Sequence, residues 1–350
     1  MSIFIILYIW YGMLLCIPTS VVKRNRMFVT FGCFFPLWLI QILRHNTVGC
    51  DLIGYKESYE NIKFSVVSIC DVDFSSHYEI GYQLFSNIIN LLISDNFNIF
   101  LLIVATLVLV PVAYFIYEYS TDIVLSFVIY SSLILYHFSF SGLRQAIAIS
   151  LTILAISFLF KNNTKMYFLF TLLATSFHVT SIIFFIVYFF HRTSFTRKQM
   201  NLCLISILCV LPFLRPLMIL IVTFLFGGEK FMSSIIEEVS PSYMLMIVYV
   251  IFYIISFKVK DRDLFFRNLS ILAIAGQSLG LISNHASRLS YFFIFYFAML
   301  LPAAIQSYKV SPRTKFFMRF CCFASFVAFF FYSNADGYLD VIPYHFYWSL

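Results

Sequence analysis

The stretch that decides the fold runs from Ile123 to Phe160. It reads IVLSFVIYSSLILYHFSF, then Ser141-Gly142, then LRQAIAISLTILAISFLF. A membrane-crossing helix needs roughly 20 mostly apolar residues, and two runs approaching that length meet here at Ser141-Gly142-Leu143-Arg144-Gln145. Neither run alternates as a barrel strand does, so helices are expected. Further on, Phe177-His178 interrupts a third apolar stretch. Arginine and histidine beside hydrocarbon are costly, and membrane proteins keep them where they meet water, each other or a charged ligand.

The rest of the chain has the same character. Its 350 residues are 61% hydrophobic and 11% charged, which predicts an all-α, polytopic membrane protein forming one integral domain over 1–350. Ten spans are expected, at about 3–20, 27–43, 97–117, 123–140, 143–160, 201–225, 242–257, 268–284, 289–307 and 316–333. The apolar stretch Ile3 to Ile17 lacks a preceding basic region and a small-residue cleavage site, so it reads as a first span and not as a signal peptide. The net charge of +7 does not suggest nucleic-acid binding, because the basic residues sit in short clusters between spans, where they orient a membrane protein.

Those clusters are Lys23/Arg24/Arg26, Lys161/Lys165, Arg192/Arg197/Lys198, Lys258/Lys260/Arg262/Arg267 and Lys309/Arg313/Lys315/Arg319. Placing all five on the cytoplasmic side follows the positive-inside tendency. Both termini are then external, as are the loops 44–96, 141–145, 227–241, 285–288 and 334–350. Segment 166–190 has cytoplasmic clusters on both flanks, which predicts a helical hairpin turning near Phe177-His178-Val179-Thr180-Ser181. A tilted single helix is the alternative. Within loop 44–96, residues 81–93 carry apolar positions at helical spacing, as an interfacial amphipathic helix would. Cys50 and Cys70 share this loop and are a possible pair; the other six cysteines read as packing residues. No spacing suggests a metal site.

Few polar groups are left to carry chemistry. Arg144 comes first: its guanidinium stays charged and presents a planar fork of donors to phosphate or carboxylate oxygens. Gln145 adds amide donors. Arg288, in the turn Ser283-Asn284-His285-Ala286-Ser287-Arg288, is a second external arginine, with His285 as a phosphate donor. Arg44 is a third, and Arg215 lies inside span 201–225. Together they resemble a pyrophosphate cradle; ion pairs with Asp51, Glu79 or Glu229 are the competing explanation. His178 can exchange a proton near neutral pH, but no carboxylate lies near it in sequence. Asp51 and Glu79 are the carboxylates able to orient or deprotonate a sugar hydroxyl, and Tyr55 can stack on a sugar ring.

Several stretches resemble the EpsG-like branch of the Wzy-type O-antigen and exopolysaccharide polymerases. They are Val48-Gly49-Cys50-Asp51 with Tyr55 and Tyr59, Tyr78-Glu79-Ile80-Gly81-Tyr82, Ser141 to Ala148, Phe177-His178-Val179-Thr180-Ser181, Arg288 with Tyr291-Phe292, and Ile342-Pro343-Tyr344. Gly-x-Arg-Gln followed by Phe-His is the most specific part. Cysteine at 50 departs from the small polar residue expected there.

The resemblance implies a glycosyltransferase of the bacterial inner membrane that faces the periplasm and serves lipopolysaccharide or exopolysaccharide biosynthesis. It would transfer a glycan from undecaprenyl pyrophosphate to the non-reducing end of another lipid-linked repeat unit, with inversion and without a cofactor or metal. Arg144, Arg288, Arg44 and Arg215 would hold the pyrophosphate, with His178, Asp51 or Glu79 acting on the acceptor hydroxyl. Its partners would be the lipid-linked donor and acceptor, membrane lipid and a chain-length regulator, although no motif encodes contact with the last. A flippase for the lipid-linked unit and an O-antigen ligase are the alternatives.

Overall fold

The computed structural model describes residues 2–62, 68–193, 195–226, 243–259, 262–281, 283–335, 337 and 339–349. Helices dominate, and among the described residues no named strand forms; one isolated bridge pairs Arg44 with Phe346. The chain divides into two compact units, one of Met1–Ile186 with Val310–Leu350 and the other of Val187–Lys309.

The first unit contains α1 (Ser2–Leu15), α2 (Thr19–Arg24), α3 (Arg26–Ile42), α4 (Leu52–Glu60), α5 (Ile80–Leu92), α6 (Phe97–Tyr119), α7 (Ile123–Ser132), α8 (Ile134–Phe138), α9 (Leu143–Phe160) and α10 (Thr164–Phe177). The long α18 (Pro312–Ser333) closes it. Every residue of α7 is buried, as expected of a helix that is apolar all round. Helices α1, α3, α6 and α18 contact it, and α9 packs on α6 and α10.

The expected span 123–140 does not run unbroken. Leu133 is extended (φ −75°, ψ 158°) and divides it into α7 and α8. Buried hydroxyls tie the two pieces to neighbouring helices: Ser132 Oγ donates to the Tyr8 hydroxyl at 3.0 Å, and the Tyr136 hydroxyl donates to the Leu37 carbonyl at 2.8 Å. Gln41 Nε2 donates to Ser139 Oγ at 2.8 Å.

Among the described residues, helix length does not bear out the count of ten spans. Five described helices are long and apolar enough to cross a membrane, at Phe97–Tyr119, Leu143–Phe160, Arg197–Leu214, Asp263–Leu281 and Pro312–Ser333. A sixth is reached if His285–Ile294 and Phe297–Ser307, bent by 45°, form one span. The longest helices in the expected spans 3–20, 27–43, 123–140 and 242–257 are shorter, of 10–17 residues. Ser2–Leu15 ends just before the Cys16-Ile17-Pro18 segment, where proline cannot continue the helical bonding.

Three of the basic clusters meet at one end of this unit, around the C-terminus of α6. Arg26 donates to the carbonyls of Tyr117 and Ser120, capping the last turn of α6 with a cation. Lys161 Nζ reaches the Tyr114 hydroxyl at 2.6 Å. Arg319, on α18, donates to Asp122 Oδ2 at 2.5 Å in a buried ion pair. The N-terminus of α6 lies among different neighbours, with Phe97 and Phe100 packed on Tyr59. A helix of 23 residues separates its ends by about 34 Å, close to the hydrocarbon thickness of a bilayer.

Segment 166–190 reverses direction. α10 ends at Phe177, His178 is extended, a 3-10 turn covers Val179–Ile183, and α11 (Phe184–Arg192) follows. The Tyr167 hydroxyl donates to the Phe184 carbonyl, and the Phe168 and Phe185 rings stack at 5.7 Å. One continuous helix would hold these pairs about 25 Å apart.

The second unit contains α12 (Arg197–Phe226), α13 (Tyr243–Ile255), α14 (Arg262–Ser278), α15 (Asn284–Ser287), α16 (Tyr291–Ile294) and α17 (Phe297–Ser307). α14 is its centre: its Phe266 stacks on Tyr296, and its Gly276 meets the Ser290 backbone. A Cβ at 276 would stand 2.7 Å from the Ser290 nitrogen, so only glycine fits there unmoved.

Candidate active site

Three segments remote in sequence meet where α5, α9 and α10 begin or end. Glu79 is the residue before α5, with an extended backbone, and its carboxylate caps nothing. Arg144 lies in the first turn of α9, after Gly142. His178 follows the last residue of α10, where the extended backbone ends the helix.

Glu79 bridges the other two. Its Oε2 accepts from Arg144 Nη1 in an ion pair, and its Oε1 is 2.8 Å from His178 Nδ1. Arg144 is held further: Nη1 donates to the His77 carbonyl at 2.8 Å, and Nε donates to the Tyr55 hydroxyl at 3.2 Å. Its guanidinium carbon lies 4.9 Å from the centre of the Tyr78 ring, a cation–π distance. Among the described residues Nη2 has no hydrogen bond, which leaves one edge of the fork for a ligand.

Electrostatics fix the protonation of the bridge. Burial pushes the Glu79 carboxyl up, but the His178 hydrogen bond and the Arg144 charge outweigh it and hold the group below its usual value. Glu79 is therefore a carboxylate at neutral pH, an acceptor only. His178 Nδ1 is then the donor in their hydrogen bond. The side chains of Arg144, Glu79 and His178 are 21%, 20% and 23% exposed, enough for a substrate to reach them. The carboxylate partner that His178 lacks in sequence is thus supplied by Glu79, 99 positions away.

Close packing sets this geometry. The segment 48–51 crosses the turn before α9: Gly49, at φ +123°, leaves its missing Cβ 2.3 Å from the Phe140 carbonyl oxygen. Cys50 N–H donates to Ser141 Oγ at 3.1 Å. The C-terminal segment joins them, with Gly49 N–H on the Asp340 carbonyl and the Tyr344 hydroxyl on the Ile40 carbonyl. Five of the motifs singled out by sequence therefore lie in the first unit.

The remaining candidates are distributed as follows. Asp51 is exposed at the start of α4 and is not hydrogen-bonded to the three side chains. Gln145 is buried in α9. Arg44 is 1% exposed, its guanidinium 4.5 Å from the Phe140 ring centre, and among the described residues its Nε and Nη1 have no hydrogen-bond partner. Arg288 and His285 share one short helical stretch of the second unit, His285 exposed and Arg288 partly so. The side chain of Arg215 and Glu229 lie outside the described residues. Cys50 and Cys70 are both free thiols. Among the described residues no group of three His, Cys, Asp or Glu is placed to hold a metal ion.

Sequence reading did not single out Tyr78 as the platform under Arg144, although it stands in the Tyr78-Glu79-Ile80-Gly81-Tyr82 motif. Tyr55 stacks on Tyr78 at 5.8 Å, and its hydroxyl is engaged by Arg144. Tyr55 therefore supports the arginine.

Residues 26–346 match the model of the EpsG family. No curated protein and no solved structure matches the chain.

Proposed function

The chain belongs to the EpsG family and is a membrane protein of polysaccharide biosynthesis, and on that premise we propose that it polymerises lipid-linked glycan repeat units. The donor glycan is carried on undecaprenyl pyrophosphate. The acceptor is a hydroxyl at the non-reducing end of a second lipid-linked repeat. The carrying observation is the Glu79 bridge between a fixed cation and a histidine oriented to act as a base.

In this mechanism the acceptor oxygen attacks the anomeric carbon of the donor as the bond to the pyrophosphate oxygen breaks. The hydroxyl proton passes to His178 Nε2, and inversion results. Negative charge grows on the departing pyrophosphate, and Arg144 meets it through its free Nη2 edge at the positive end of α9. Donors fixed in place stabilise such charge without reorganising at the moment of reaction. Glu79 keeps His178 in its basic tautomer and stabilises the imidazolium that forms, the role a buried carboxylate has in hydrolase triads. Asp51 is the reserve group for the acceptor hydroxyl.

Arg288, His285 and Arg215 are further candidate phosphate ligands. Arg44, sealed beneath Phe140, is assigned a contribution to the local positive potential without direct contact. The basic clusters around the C-terminus of α6 favour a cytoplasmic position for that end, which supports a periplasmic position for the Glu79 bridge. The reversal at His178 then enters and leaves from the cytoplasmic face.

Reconstitution with purified lipid-linked repeat tests the proposal. The wild type should lengthen the glycan, and Arg144→Ala should leave single repeats in a membrane that still contains the protein. Chain lengths unchanged in Arg144→Ala would remove the assignment.

A further inference from the structure

Helix α4 serves two places at once. The Tyr55 hydroxyl accepts from Arg144 Nε at 3.2 Å. Lys56 and Glu60, on the neighbouring face of the helix, line a separate pocket of about 500 Å³. That volume falls within the roughly 300–1,000 Å³ of small-ligand sites. His45, Asn46, Asn98 and Tyr347 join them in its lining.

Hydrogen bonds fix these walls. His45 N–H donates to the His345 carbonyl at 2.8 Å, and Tyr347 N–H donates to the Leu43 carbonyl at 3.0 Å. The C-terminal segment is thereby pinned to the end of α3, which brings Tyr347 to the same pocket as His45. At the start of α6, Asn96 Oδ1 accepts the Asn98 N–H at 2.8 Å. α4 is tied to that start, because the Tyr59 hydroxyl donates to the Ser94 carbonyl at 2.6 Å.

The lining offers both kinds of hydrogen-bonding group. Lys56 supplies N–H donors, Glu60 supplies carboxyl oxygens, and the amides of Asn46 and Asn98 supply both. A phosphate group would use the donors, whereas a sugar hydroxyl donates and accepts and so uses the whole set. The Tyr347 ring, 49% exposed, adds an apolar face with a polar tip, suited to the C–H side of a sugar. We propose that this pocket is a second glycan-binding site, which holds the growing chain between rounds of transfer and makes extension processive. The identity of its ligand rests on the glycan-transfer reading above. A helix with its side chains is about 10 Å across, so a short run of sugars spans from the Arg144 side of α4 to the pocket. A chain held at this second point returns to the Glu79 bridge as an intramolecular event, at an effective concentration on the order of mM.

Maleimide protection of the full chain in nanodiscs tests it. The probe is repeat-unit oligosaccharide freed from its lipid by mild acid, at one, two and three repeats. Asn98→Cys should react with maleimide, followed by mass spectrometry of the peptide that bears residue 98. The three-repeat probe should slow that reaction severalfold, and inorganic pyrophosphate at the same concentration should not. Adding Tyr347→Ala should remove the protection, and Tyr347→Trp should retain it. In reconstituted extension compared at equal total sugar incorporation, Tyr347→Ala should give more and shorter chains than the wild type. No protection by any probe, protection that survives Tyr347→Ala, protection by pyrophosphate, or equal chain lengths overturns the proposal. Chain extension by Arg144→Ala is scored separately: if it persists while protection at residue 98 behaves as expected, the transfer reading fails and the glycan site stands.

Discussion

Gly81 and Ser176 touch so closely that a Cβ on Gly81 would stand 2.3 Å from the Ser176 hydroxyl and 2.7 Å from its carbonyl oxygen. This contact seats the start of α5 against the end of α10, two residues from Glu79 and two from His178. The backbone oxygen cannot swing away, so Gly81→Ala must separate the helices. Chain extension should fall about as far as when the base is removed, roughly 10²-fold or more, while the protein still inserts. Glycan length on a gel, beside membrane abundance, checks this.

Arg144→Lys keeps the charge and loses the fork. A point charge cannot donate at once to the His77 carbonyl, the Tyr55 hydroxyl and a ligand oxygen. Activity should drop by about 10²–10³-fold, the range for losing one preorganised donor. Single-turnover extension of lipid-linked repeat measures it; wild-type turnover would show that charge alone suffices.

The pH dependence of stability follows from Glu79. Its folded pKa lies below the ordinary carboxylate value, so the bridge stabilises the fold above the unfolded pKa of about 4.3. That contribution is lost as pH falls through the lowered folded value. Thermal unfolding in detergent should show a loss below about pH 4 that Glu79→Gln lacks. Identical acid limbs in the two proteins would contradict the bridge.

Arg319→Met strands the buried Asp122 carboxylate, and breaking a buried pair from one side costs about 3–5 kcal/mol. Adding Asp122→Asn to that variant should recover much of the loss, because the replacement removes the unpaired charge. Denaturant unfolding of both variants provides the comparison.

The reversal at His178 predicts that cysteines at 163 and 194 react with an impermeant maleimide from the same side of the membrane. Residue 194 itself lies outside the described residues. Reaction from opposite sides would restore a single crossing.

Sequence reading found the helical class and the polar interruptions because hydrocarbon tolerates so few of them. Arg144 and His178 are conspicuous in an apolar chain, and both are in the bridge. What joins them was not legible: Glu79 is 65 and 99 positions from its partners, and no local period encodes such a pairing. The ten spans are not all found among the described residues, because hydropathy does not register where an apolar stretch is divided into shorter helices. The span 123–140 breaks at Leu133, whose backbone is extended. Arg26 and Arg319 read as orienting charges and are also ligands of buried oxygens, a use that becomes visible only with the partner helix in place.

Helix α5 turns its polar residues Asn87 and Asn90 inward and leaves Ile88, Leu91 and Leu92 uncovered. Apolar surface gains about 25 cal/mol for each Å² withdrawn from water, so lipid is the medium in which that face rests most favourably. The loop carrying Glu79 is then moored to the leaflet. On the proposed function, a reactant tethered by its own hydrocarbon tail would reach it by drifting within two dimensions, already level with the arginine proposed to meet its headgroup.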